Sequence, residues 1–191
     1  MARCDKCGWE NPDEENLCQR CGAPLQDKQT LIQIDEKNED KSLPMNWHNF
    51  LAYFSIWAGA VLNFFTGFST MTGMSYGELK DQVYYTFKGI GFVDCFSGIL
   101  IIALSIFGFY VAYSLLKKKK DAPKKLIELY IMGGVIKLLY NLIIALIISG
   151  KIPNYNLINS IATAVGAFLA TLLFVVLNRI YYRKRAHLFV N

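Results

Sequence analysis

The chain has 191 residues, 53% of them hydrophobic, and a formal net charge of +5; its mean hydropathy of +0.27 excludes an ordinary soluble domain of this size. The charge is divided unevenly: residues 1–41 hold six Lys/Arg against ten Asp/Glu, a net of −4, whereas residues 42–191 hold fourteen against five, a net of +9. The positive charges lie in blocks beside long apolar runs, so anionic lipid head groups, rather than nucleic acid, are their expected partner.

The chain begins with two Cys-x2-Cys-Gly knuckles, Cys4-Asp5-Lys6-Cys7-Gly8 and Cys18-Gln19-Arg20-Cys21-Gly22, with ten residues between Cys7 and Cys18. Two residues between cysteines let both thiolates reach one ion from a tight turn, and the glycine takes the left-handed backbone position that turns the chain away. Four thiolates, from Cys4, Cys7, Cys18 and Cys21, close a tetrahedral shell and leave no position open for a catalytic water. The expected cofactor is one structural Zn2+, although the same donors also suit iron. A thioredoxin-like redox pair would need a βαβ context that about 25 residues do not provide. Trp9, Leu17 and Leu25 are nearly the only large apolar residues here, too few for an independent core, so folding of residues 1–25 is expected to depend on the metal.

The stretches Cys-Asp-Lys-Cys-Gly-Trp-Glu-Asn-Pro and Leu-Cys-Gln-Arg-Cys-Gly-Ala-Pro-Leu resemble the zinc-ribbon module that begins many bacterial membrane proteins. The resemblance covers Cys4 to Leu25. It implies a small β-hairpin knuckle fold with Cys4, Cys7, Cys18 and Cys21 as the ligands, and it implies no activity.

Residues 26–46 are mostly polar, with five acidic and three basic side chains, and read as a tether in which Leu31-Ile32-Gln33-Ile34 could extend a ribbon strand. The acidic run Asp13-Glu14-Glu15 is a candidate for attraction to the basic loop described below. Four stretches then suffice to cross a hydrocarbon core about 30 Å thick. They are Trp47–Phe68, Ile90–Leu116, Leu126–Ile148 and Leu157–Leu177, and together they predict an all-α membrane domain, a four-helix bundle over 47–180. No cleavable signal peptide is expected, because the first apolar run starts only at Trp47.

Between the first two spans, Ser75-Tyr76-Gly77-Glu78 matches a capping box, and Tyr76, Leu79, Val83 and Phe87 recur at helical spacing up to Gly89. A short interfacial helix over about 76–88 is expected there. Between spans two and three, Lys117, Lys118, Lys119, Lys120, Lys124 and Lys125 form a basic loop suited to lipid head groups. Arg179, Arg183, Lys184 and Arg185 follow the fourth span, the last three within a basic tail at 181–191. The other two loops are poor in Lys and Arg, so both termini and the lysine loop are expected on the cytosolic side of the plasma membrane. That compartment keeps thiols reduced and argues against disulfides among the four cysteines.

Small and polar residues recur along the spans at helical spacing, as expected where helices approach closely in lipid. They are Ala52, Ser55, Gly59, Asn63 and Thr66 in the first span and Asp94, Gly98, Ser105, Gly108 and Ala112 in the second. Tyr130, Gly134, Lys137 and Asn141 continue the pattern in the third span, and Asn159, Thr163, Gly166 and Ala170 in the fourth. Lys137, near the centre of the third span, defines a candidate intramembrane polar site with Asp94 and Asn141. Cys95 is expected to face lipid or to pack. The spans lack His clusters, paired carboxylates and a Ser-His-Asp set, and His48 and His187 fall at interfaces, so an enzyme is not expected. A cytosolic protein partner of the ribbon or a homo-oligomer is expected instead, with no nucleic acid; a small transporter or channel using Lys137 and Asp94 is the alternative.

Overall fold

A computed structural model describes residues 2–12, 17–23, 25 and 44–190. They fall into two compact units, Met1–Pro44 and Met45–Asn191. Most of the expected tether lies outside the described residues, as do the candidate strand Leu31–Ile34 and the run Asp13-Glu14-Glu15.

In the first unit, β1 (Ala2–Arg3) pairs antiparallel with β2 (Glu10–Asn11), Ala2 opposite Asn11 and Arg3 opposite Glu10. Each pair of cysteines turns the chain in the same way. The Gly8 N–H donates to Cys4 O at 2.8 Å and the Gly22 N–H to Cys18 O at 2.8 Å. Both glycines sit at left-handed φ, 70° and 67°, where a Cβ would be strained.

The second unit is helical. Helix α1 (Asn46–Phe50) runs through a π-helical turn at Leu51–Ser55 into α2 (Ile56–Thr72). The wide turn is buttressed by Trp57, whose indole N–H donates to Ala52 O at 2.9 Å. Gly73, at φ 70°, ends α2. A 3-10 stretch at Met74–Leu79 and the short helix α3 (Lys80–Thr86) follow. The expected capping box does not form: Gly77 takes φ 55° and ψ −132°, which breaks the turn between Ser75 and Glu78, and the Ser75 hydroxyl bonds Ser69 Oγ at 3.0 Å instead.

Three long helices complete the unit: α4 (Ile90–Leu116), α5 (Ala122–Ser149) and α6 (Leu157–Arg183). Helix α5 starts ahead of the apolar run at Leu126 because Pro123, in its first turn, has a φ already suited to a helix. With the segment Asn46–Thr86, the chain has four helices long and apolar enough to cross a membrane.

Helix α4 is the centre of the unit, with α2 along one side and α5 along the other, and α6 lies along α5. Small residues set its distance from α2. A Cβ built on Gly98 would stand 2.5 Å from Met71 N and 2.6 Å from Gly67 O, so the two backbones touch there. Further along, the Ser105 hydroxyl donates to Ala60 O at 2.7 Å and Gly108 faces Ala60. At the lysine-rich end, Leu51, Val111, Leu115, Leu126, Tyr182 and Phe189 form a closed core. There α6 also meets α1: the Trp47 indole N–H donates to Asn178 Oδ1 at 3.1 Å, and His48 Nδ1 lies 3.2 Å from Tyr182 Oη.

Candidate metal centre and intramembrane polar groups

The two knuckles bring Cys4, Cys7, Cys18 and Cys21 together, with their sulfurs all within 4.8 Å of one another. Cys4 Sγ and Cys21 Sγ are 3.6 Å apart, and Cys7 Sγ and Cys18 Sγ 3.5 Å. A tetrahedral ion with metal–sulfur bonds of about 2.3 Å requires sulfurs about 3.8 Å apart, so the quartet is compatible with one ion after shifts of no more than about 1 Å. Cys4 and Cys18 are buried; Cys7 and Cys21 are exposed.

Backbone N–H groups tune the thiols. Burial raises the Cys18 thiol, but the N–H groups of Arg20 and Cys21, with the Cys7 and Asn11 side chains, outweigh it and hold the group down to about 6. At Cys7 the Trp9 N–H lowers the thiol, and desolvation with the neighbouring Cys21, Cys18 and Cys4 sulfurs overrides it, pushing it up to about 12. Four clustered thiols do not all ionise on their own; a cation that compensates their charge lets them do so.

Asn11 joins the two halves of the site, a role its position in the sequence did not disclose. It is buried, donates through Nδ2 to Trp9 O at 3.1 Å, and accepts the Gln19 N–H at 3.0 Å. One amide thus clamps the first knuckle to the second. The cue lay in the Asn-Pro step, since Pro12 holds Asn11 out of the helical region. Asn11→Ala is expected to weaken metal binding by about 10–100-fold with the four cysteines unchanged, as loss of a partner that orients the ligands does. A competition titration against a chromophoric chelator measures this, and unchanged affinity would remove Asn11 from the site.

Within the helical unit the candidate polar residues have separate surroundings. Asp94 is fully buried; its Oδ2 accepts the Tyr84 hydroxyl at 3.1 Å and its Oδ1 the Tyr140 hydroxyl at 3.0 Å. Tyr76 packs edge-on against Tyr84, ring centroids 5.7 Å apart. Lys137 instead lines a cleft of about 200 Å³ together with Asn63, Leu104, Tyr130 and Thr171. Among the described residues no ion pair joins Lys137 to Asp94, and Asn141 Nδ2 donates to Lys137 O at 2.8 Å. Sequence reasoning missed Tyr84 because its approach depends on the fold-back after Gly73, which no local pattern encodes.

The small-residue stripes also diverge. Asp94, Gly98, Ser105, Gly108 and Ala112 are all buried along α4, whereas Asn159, Thr163, Gly166 and Ala170 are exposed on α6. Gly134 faces Phe168 and Thr171, so α6 turns a different side to α5. Cys95 is exposed. Of the lysines expected in a basic loop, Lys124 and Lys125 fall in the first turn of α5; Lys125 pairs with Asp121 at 2.5 Å and lies over the Tyr110 ring, while Lys119 in the turn lies 5.3 Å from the Tyr113 ring.

Asp94→Ala would leave the Tyr84 and Tyr140 hydroxyls without their acceptor, at about 1–3 kcal/mol for each group left unsatisfied. The variant is expected to unfold at clearly lower temperature in detergent micelles. Asp94→Asn keeps one acceptor and turns the other oxygen into a donor that a tyrosine hydroxyl can accept from, so it is expected to lose less than Asp94→Ala; equal damage from both would contradict the assignment of these hydrogen bonds as the source of the stability.

Fold and site together define a helical chain with four potential membrane spans and a four-cysteine cluster at metal-binding distance. No family model, curated protein or solved structure matches the chain.

Proposed function

We propose that the chain is an integral plasma-membrane protein with both termini in the cytosol, in which a zinc ribbon docks a cytosolic protein partner and the helical unit anchors or senses, without catalytic activity. The observation that carries this reading is the cysteine quartet: four thiolates fill a tetrahedral shell, which suits a structural ion and leaves no coordination site for chemistry. Trp9 and Leu17 beside it are 47% and 56% exposed, and the Arg20 guanidinium lies 5.1 Å from the Trp9 ring. An exposed aromatic with an arginine is the kind of anchor that protein interfaces use.

Membrane insertion is supported by the outward-facing apolar residues of the helices, among them Phe54, Leu62, Phe65, Ile106, Leu169 and Leu173, each more than half exposed in the isolated chain. The Lys117–Lys125 loop supports the orientation.

The test is affinity purification of the intact protein beside a Cys4→Ser, Cys7→Ser variant, with metal analysis of both. A partner lost together with zinc supports docking; identical partner lists sink it. The cleft beside Lys137 favours a second reading, a small transporter or channel component. Solute flux in liposomes that Lys137→Ala abolishes would put that reading first.

A further inference from the structure

At the lysine-rich end a second cleft, of about 770 Å³, opens between the start of α5 and the end of α6. Its size falls within the range of about 300–1,000 Å³ typical of small-molecule sites. Lys120 and Lys124 line it from one side, Arg179 and Arg183 from the other. Arg179 and Arg183 are four residues apart on α6 and so point along one face of it, while Lys120 comes from the turn before α5 and Lys124 from its first turn. No lining residue is acidic; Glu128 reaches Lys124 from outside at 3.8 Å, a solvent-exposed pair of little energetic weight. Below the charges the walls turn apolar: Ile127 and Ile131 on α5 and the buried Val175 on α6.

Four cations over an apolar trough match a molecule that is anionic at one end and hydrocarbon at the other. A soluble phosphate would leave the trough empty, and a neutral lipid would leave the cations without a counter-charge. We propose that this cleft binds one anionic phospholipid, its phosphate held by Lys120, Lys124, Arg179 and Arg183 and an acyl chain lying on Ile127, Ile131 and Val175. The site goes beyond the general attraction of a lysine loop to head groups, because half of its charge comes from α6 and it has a hydrocarbon-binding wall. It rests on the membrane reading above.

The test uses the full chain extracted in mild detergent and examined by native mass spectrometry with added phosphatidylglycerol, phosphatidylcholine or glycerol phosphate. The parent is expected to retain one phosphatidylglycerol and neither of the others. Lys120→Gln, Arg179→Gln, Arg183→Gln is expected to lower that affinity by about 100-fold, three basic contacts near the surface each contributing close to a factor of five. A control, Lys117→Gln, Lys118→Gln, Lys184→Gln, removes the same charge from the same end outside the cleft and is expected to retain the lipid. Ile131→Trp, which fills the trough and keeps every charge, is expected to lose it. Equal loss in the cleft and control variants, equal retention of phosphatidylcholine, or binding of glycerol phosphate as tight as that of the lipid would overturn the proposal. Carbonate extraction of cell membranes separates the two readings: a chain that stays in the membrane yet holds no lipid overturns the cleft alone, and one that washes off overturns both.

Discussion

Purified Cys4→Ser, Cys7→Ser protein is expected to carry no bound metal and to have an unfolded N-terminal unit on an intact helical one. The strands at Ala2–Arg3 and Glu10–Asn11 are too short to hold themselves together, and Trp9 and Leu17 are exposed, so little apolar burial stabilises the unit. Structural zinc in small fingers supplies about 10–16 kcal/mol of folding free energy, more than this unit has from any other source. A strong chelator added to the parent should have the same effect. Limited proteolysis should then cut within residues 1–25, while thermal unfolding of the helical unit, a separate compact body, stays where it was. Protection from protease in the metal-free state would show that the cysteines are not what folds the unit.

The second large effect is expected at Gly98. Gly98→Val would place methyl groups beyond a Cβ already 2.5 Å from Met71 N and 2.6 Å from Gly67 O. Those atoms are backbone and do not swing aside, so α2 and α4 must separate along much of their length, pulling at the Ser105 to Ala60 hydrogen bond. Overpacking typically costs about 1–3 kcal/mol, and a backbone clash belongs at or above the top of that range. Poor recovery of folded protein from membranes, or a much lower unfolding temperature in detergent, is the expected readout. Gly166→Val on α6 is the matched control, because nothing lies within 4 Å of that position and little change, within about 0.5 kcal/mol, is expected. Equal sensitivity at the two glycines would contradict the α2–α4 contact.

What the sequence disclosed and what it hid divide along a physical line. Long apolar runs and the spacing of cysteines are properties of consecutive residues, and both are legible without knowing any tertiary contact. Partners are not. Asp94 is recognisable as a costly buried carboxylate, yet its donors Tyr84 and Tyr140 lie ten and forty-six residues away on different elements. Asn11 and Gln19 face each other only once both knuckles have turned. The stripe on α6 illustrates the converse: Asn159, Thr163, Gly166 and Ala170 have the composition of a buried helix face, but spacing does not say which side its one long neighbour covers. The motif at Ser75 failed for a related reason. A capping box needs helical φ and ψ after the serine, and Gly77 leaves that region.

The bond between Tyr140 and Asp94 also bears on the order in which the site is completed. A chain made from its N-terminus delivers Tyr84 and Asp94 well before Tyr140, so on the membrane reading proposed above α4 would enter the bilayer with its carboxylate served from one side only. The Asp94 site is therefore completed only when α5 arrives, and on that membrane reading a nascent chain stopped short of Tyr140 would be an early substrate for membrane quality control.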